Sequence, residues 1–365
     1  MELRAENCFL GQLIGDALGA RYEFAQMHFG KPADQVVTGD LRGDGFLPML
    51  GGGLFGLDKG QVTDDSEMAL ALMSSIIKTD GVSSNNILRE YKIWMRSDPF
   101  DVGRATRYIL SHPENRTPND SRRLADAFNR RVRDIYGGDN LSNGCLMRAS
   151  PLGILLAPMV SCAHRENPQL LASNILNQVA QDTKLTHFSH TATVATAAYV
   201  ALLAGNIAHG RQGLCLTMQL VKTIAEQDPL IDLIFRRAAN DDPLDPPADV
   251  NIGYLGTAFH LAISRTIAVG IKQSTFHRAL VGTIQLGGDT DTNGCIVGAA
   301  IGSLVDRHEI PNEWSNEVMD HRGKKYMNLR RNAFAAYGQF SLDRIGKLLD
   351  IGRRRYSHNK PMVLH

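Results

Sequence analysis

The stretch Phe9-Leu10-Gly11-Gln12-Leu13-Ile14-Gly15-Asp16-Ala17-Leu18-Gly19 carries two patterns at once. Phe9, Leu10, Leu13, Ile14, Ala17 and Leu18 recur at helical spacing, which predicts a buried helix over about residues 6–20. Gly11, Gly15 and Gly19 fall four apart on one face of it, although each glycine costs up to ~1 kcal/mol relative to alanine. Such a stripe gains something where a second backbone comes close. A matching stripe, Gly294, Gly298 and Gly302, lies near the other end of the chain in another apolar run. The two helices are therefore expected to cross closely and to carry Asp16 and its neighbours toward Asp289 and Asp291.

Outward from these stripes the chain is helical in pattern. Met68 to Ile77 is apolar nearly all round, and helical periodicity recurs over 86–95, 121–136, 144–160, 167–181, 190–208, 214–226, 253–269, 275–283, 292–305 and 341–351. Convincing alternating strands are absent, so the fold class expected is all-α. One compact multi-helix domain over residues 1–365 is expected, with its core in 5–305 and C-terminal helices and a basic tail in 306–365. The polar, proline-rich break at 240–249 reads as a surface loop inside that domain. Residues 25–61, rich in glycine, read as a mobile loop and a candidate lid. Gly51-Gly52-Gly53-Leu54-Phe55-Gly56 within it lacks the Gly-Lys-Ser/Thr ending of a phosphate-binding P-loop. Arg353-Arg354-Arg355 opens a tail expected to be solvated and frayed.

Composition narrows the function classes. Lysine and arginine number 39 against 38 acids, so nothing in the charge balance suggests a nucleic-acid or membrane-surface protein. The longest apolar run, residues 194–208, is interrupted by Thr196, Gly205 and Asn206 and falls short of the ~20 residues that span a bilayer, so it reads as a core helix. Five scattered cysteines without a C-x-x-C pair, and no secretory h-region at the start, point to a cytoplasmic location.

Two short clusters carry the chemistry: Thr63-Asp64-Asp65-Ser66-Glu67 and Gly287-Gly288-Asp289-Thr290-Asp291-Thr292-Asn293-Gly294. By itself Asp64-x-x-Glu67 before an apolar run reads as a capping box. A cap needs one side chain, however, and adjacent carboxylates repel unless a cation lies between them. The second cluster matches the first half of an EF-hand loop, but Ala300 stands where the bidentate Glu belongs, so it reads better as a turn that starts a helix. Both clusters then lie at helix N-termini. Their donors are all oxygen, which suits hard cations such as Mg²⁺, Mn²⁺ or Ca²⁺.

The runs Gly15-Asp16-Ala17-Leu18-Gly19 with Glu23-Phe24, Gly60-Gln61-Val62-Thr63-Asp64-Asp65-Ser66, Asp101-Val102-Gly103, Ser142-Asn143-Gly144-Cys145-Leu146-Met147-Arg148, Thr186-His187 and Gly287 to Thr292 together resemble the ADP-ribosylglycohydrolase family. The resemblance spans about residues 5–305 in the family's motif order. It implies an all-α fold, a cleft that binds ADP-ribose, and two divalent cations, Mg²⁺ or Mn²⁺, on Thr63, Asp64, Asp65, Asp289, Asp291 and Thr292. It further implies Glu23 and Asp101 as the catalytic acids, with Gly103, Asn143, Gly144, Met147, Arg148 and His187 binding substrate. Ser66 stands where the family more usually has Thr, and Asn293-Gly294 where apolar residues are common.

The activity implied is removal of ADP-ribose from a modified protein side chain, arginine first. Serine-linked ADP-ribose, O-acetyl-ADP-ribose, an inactive ADP-ribose-binding member, and an immunity protein facing an ADP-ribosylating transferase are the alternatives.

Overall fold

The computed structural model describes residues 1–111, 140–162, 167–321 and 342–356. The helical pattern expected over 121–136 and the tail beyond Tyr356 lie outside them. Helices α1 (Glu2–Gly19), α2 (Ala25–Phe29) and α3 (Ala33–Asp40) lead to α4 (Asp64–Thr79), α5 (Ser84–Arg96) and α6 (Arg104–Leu110). A 3₁₀ turn at Asn143–Cys145 precedes α7 (Ser150–Cys162), α8 (Pro168–Thr183), α9 (His190–His209), α10 (Leu214–Ala225) and α11 (Pro229–Ala239). The rest are α12 (Leu255–Gly270), α13 (Phe276–Ile284), α14 (Thr290–Gly302), α15 (Asn312–Asp320) and α16 (Leu342–Tyr356). Among the described residues there is no β-strand, only isolated bridges pairing Gly52 with Leu57 and Ser142 with Tyr254. The all-α expectation holds.

The glycine stripes do what their spacing predicts. Helices α1 and α14 run antiparallel with their backbones in contact along most of their length. A Cβ added at Gly15 would lie 1.9 Å from the Gly294 carbonyl oxygen, and one at Gly11 would lie 2.1 Å from that of Gly298. No side chain fits either place. The seam is pinned at both ends: Asn7 Nδ2 donates to the Val305 carbonyl at 3.0 Å, and Thr290 Oγ1 to that of Gly19 at 2.8 Å. Because the seam is antiparallel, the C-terminal end of α1 meets the N-terminal end of α14, and α4 begins beside them.

Helix α9 runs through the interior against α7, α8, α10 and α12. It is long and apolar enough to cross a membrane, but 89% of that apolar window is buried inside the protein, as the core-helix reading anticipates. Its Tyr199 hydroxyl donates to the Ile296 carbonyl of α14 at 3.0 Å, tying the core to the seam.

Two expectations change. Residues 25–61 form α2 and α3, followed by a glycine-rich turn packed on the end of α1, where Gly53 (φ +70°) leaves 2.8 Å between an added Cβ and the Ala20 carbonyl oxygen. Helices this short show no clear periodicity, and so the segment reads as a loop. The basic run Arg353–Arg355 is not a frayed end: it closes α16, with Arg354 bonded to the Asp80 carboxylate and Arg355 to the Asp80 carbonyl. Cations there complement the C-terminal end of the α4 dipole.

Candidate active site and metal centre

The end of α1 and the starts of α4 and α14 meet through hydrogen bonds. Asp16, fully buried in α1, accepts from the Thr63 N–H (3.0 Å), the Ser66 N–H (3.1 Å) and Thr63 Oγ1 (2.9 Å). A carboxylate from one helix thus satisfies the orphan donors that open another.

Thr63 is the N-cap of α4 and Asp64 its first residue, so the capping box expected at Asp64-x-x-Glu67 does not form. Glu67 instead accepts from Trp94 Nε1 at 2.7 Å. Relieved of capping, Asp64 accepts from the Gly103 N–H at 3.2 Å and faces the cleft. Asp289 is the N-cap of α14 by position, yet its side chain makes no capping bond; Asn143 Nδ2 donates to its Oδ2 at 2.7 Å. Gly103 is the N-cap of α6, which leaves Asp101 two residues outside the helix and free of that duty.

These acids open onto a cleft of about 310 Å³ lined by Glu23, Asp64, Asp101, Asp289, Asp291 and Thr292 and by the turn residues Ser142, Asn143, Gly144 and Met147. Gly103, Arg104 and Gly253 also line it. Thr63 and Asp65 lie deeper, both buried, and Thr292 Oγ1 donates to Asp65 Oδ1 at 3.1 Å, so the two sequence clusters touch. Oxygens of Glu23, Asp289 and Asp291 all lie within 4.8 Å of one another.

Burial and mutual repulsion dominate the electrostatics. Burial, then Asp289 and Asp64, push Glu23 up to about 8, and burial, then Asp64 and Glu23, push Asp101 up to about 9. Asp64 is raised to about 6 and Asp16 to about 7, both chiefly by burial; Asp65 and Asp291 are raised as well, with neighbouring acids adding to it. Glu23 Oε2 is buried without a hydrogen-bond partner. An all-oxygen donor set, mutually repelling acids and an orphaned carboxylate oxygen fit a hard divalent cation, which would reverse these shifts.

Arg148 and His187, expected to touch substrate, are fully buried behind the turn and do not line the cleft. Arg148 Nε donates to Asp182 Oδ2 at 3.0 Å, Nη1 to the Gly144 carbonyl at 3.0 Å and Nη2 to Thr186 Oγ1 at 2.6 Å. The Tyr91 hydroxyl donates to the other Asp182 oxygen at 2.6 Å, and its ring lies 5.0 Å from the guanidinium. His187 bonds Thr186 Oγ1 through Nδ1 and Ser142 Oγ through Nε2, both at 2.8 Å, and burial pushes its pKa down to about 3. Asn143, expected to bind substrate, holds Asp289.

Asp182 and the capping role of Asp16 escape a reading of the sequence. For Asp16 a signal exists, since it lies beside the glycine stripe. For Asp182 there is none.

A family model described as ADP-ribosylglycohydrolase matches residues 1–341. A protein of Acanthamoeba polyphaga mimivirus named as an ADP-ribosyl glycohydrolase is 28% identical over 90% of this chain and 94% of its own length. The ADP-ribosyl-[dinitrogen reductase] glycohydrolase of Rhodospirillum rubrum is 27% identical over 86% and 90%. The ADP-ribosylarginine hydrolase Tri1 of Pseudomonas putida is 36% identical over 29% of this chain and 27% of its own. A solved chain from an ADP-ribosylglycohydrolase-related protein complex superposes with a TM-score of 0.62 at 23% identity, over 96% of this chain and 98% of that one.

Proposed function

This chain belongs to the ADP-ribosylglycohydrolase family, and from that premise we propose a metal-dependent hydrolase that releases ADP-ribose from modified protein side chains, arginine first. The observation that carries the reading is the convergence of two acidic clusters, more than two hundred positions apart, on one cleft. The arginine acceptor draws its support from the partial match to an ADP-ribosylarginine hydrolase.

Two divalent cations, Mg²⁺ or Mn²⁺, held by Thr63, Asp64, Asp65, Asp289, Asp291 and Thr292, would supply Lewis acidity and a more acidic water. The chain's own residues do the rest. Asp16 fixes Thr63 and thereby the start of α4. Asn143 holds one oxygen of Asp289 and so limits how that carboxylate can turn at the cleft. Cleavage at C1″ of the ribose develops oxocarbenium-like charge, which the surrounding carboxylates favour. Glu23 and Asp101 are the acids left to manage protons, one for the incoming water and one for the departing nitrogen. Both line the cleft, which puts them within reach of a bound substrate and its water. An immunity role against an ADP-ribosylating toxin would act by the same hydrolysis, by blocking the toxin's site, or by both.

The test offers arginine-linked and serine-linked ADP-ribosylated proteins and O-acetyl-ADP-ribose with Mg²⁺, Mn²⁺ or chelator, and measures freed ADP-ribose. Release from the arginine-linked protein, abolished by chelator, is expected. Faster release from either other substrate would move the acceptor assignment, and no release from any of them would sink the hydrolase reading.

A further inference from the structure

Glu23 and Asp101 come from distant parts of the chain, and one turn touches the neighbours of both. Residues 51–57 close on themselves through the Gly52 N–H to the Leu57 carbonyl at 2.7 Å and the Leu57 N–H to the Gly52 carbonyl at 2.8 Å. On one side the turn is fastened to the end of α1. Arg21 Nη1 donates to the Gly51 carbonyl at 3.0 Å, and Gly53 packs against the Ala20 and Arg21 backbone. Arg21 stands two residues before Glu23 and is itself held by Asp40, its Nε donating to Oδ2 at 2.8 Å. On the other side the turn carries Phe55, whose ring meets that of Phe100 edge-on, with centroids 5.4 Å apart and planes at 66°. Phe100 immediately precedes Asp101.

We propose that Phe55 is a positioning residue for the hydrolysis: through Phe100 it sets where Asp101 stands relative to Glu23, with the turn 51–57 as the strut between them. This rests on the functional reading above, which gives those two acids the proton transfers. Asp101 lies in irregular chain between α5 and α6, and among the described residues no hydrogen bond holds its carboxylate. Its place therefore follows from its backbone. On the following side, Val102 packs into the core and the Gly103 N–H is tied to Asp64 at 3.2 Å. On the preceding side, the ring of Phe100 rests on Phe55. Neither ring lines the cleft, so Phe55 acts on the reaction only through its neighbour. Two proton transfers on one substrate need both carboxyls within hydrogen-bond reach at once, and a displacement of about 1 Å can cost on the order of a hundredfold in rate. One partly exposed aromatic pair adds little to the stability of a core this size, so its loss is felt first in turnover.

The test measures steady-state release of ADP-ribose by the full-length protein at saturating Mg²⁺, on the ADP-ribosylated substrate that the wild type cleaves fastest. Phe55→Ala is expected to lower kcat by roughly tenfold to a hundredfold, with KM and Mn²⁺ affinity unchanged. Phe55→Tyr, which keeps the ring, should restore wild-type kcat. The readout that a merely structural role would not give is a double-mutant cycle: in an Asp101→Asn background, Phe55→Ala should cost little more, because the group that it positions is already lost. If Phe55→Ala does not fold, Phe55→Leu carries the same comparison. An unchanged kcat, an equal proportional loss in both backgrounds, or a loss of Mn²⁺ binding alongside turnover would overturn this inference alone. No release of ADP-ribose by the wild-type protein would overturn the functional reading and the positioning role with it.

Discussion

Asp182 and Asp291 are both carboxylates buried beside the cleft, and they stand in opposite circumstances. Asp182 takes Arg148 on one oxygen and the Tyr91 hydroxyl on the other, within a hydrogen-bonded set that continues to Ser142. Asp291 is surrounded by Glu23, Asp65, Asp289 and Asp101, all acids that raise its pKa. The turn wall neutralises its buried charge internally. The acidic wall leaves its charge to be neutralised by something the chain does not contain, which is how a preformed cation site differs from a structural ion pair.

That contrast can be broken by the same kind of substitution on each side. Asp291→Asn should cut turnover by on the order of 10³-fold, the scale seen when a key electrostatic group is removed from an active site. It should nonetheless raise the melting temperature in chelator, because one repelling acid is gone. A fall in stability would mean that Asp291 is already paired. Asp182→Asn should do the reverse, destabilising the fold by about 3–5 kcal/mol in denaturant titrations, because Arg148 is left buried and uncompensated. An unchanged midpoint would mean that Arg148 does not depend on the Asp182 charge.

Asn143→Ala tests where the two walls join. Losing a residue that orients a ligand should weaken Mn²⁺ binding by about 10–100-fold with little change in melting temperature, measured by metal titration.

The last test is the pH dependence of stability in the absence of metal. Glu23 and Asp101 hold folded-state pKa values of about 8 and about 9 against ordinary values of 4.5 and 3.8. The folded chain therefore binds more protons than the unfolded chain between those limits, and its stability falls as pH rises. The contribution is complete below the ordinary carboxylate range and lost as pH passes through about 8 to 9. Melting curves in chelator should decline from about pH 6 to about pH 9, and saturating Mg²⁺ should flatten them because the cation replaces the protons. A flat profile in chelator would place these acids in a wetter setting.

The seam was legible in the sequence because only glycine permits backbone contact at that spacing, and Gly15 against Gly294 bears the mark directly. The two clusters were legible because their oxygens exceed what caps require. The capping detail was not: Asp64-x-x-Glu67 has the right letters, but Trp94 takes Glu67 and Thr63 caps the helix, and no local pattern reports a partner from another helix. Motif identity also conceals depth: Arg148 and His187 read as substrate-binding residues, and the fold sets them one layer behind Ser142 and Gly144.

The most direct test of the acidic wall is anomalous scattering from crystals grown with Mn²⁺. Two manganese peaks bounded by Asp64 and Asp65 on one side and by Asp289 and Asp291 on the other are predicted. No peak in the cleft at saturating Mn²⁺, or peaks only outside it, would contradict the account.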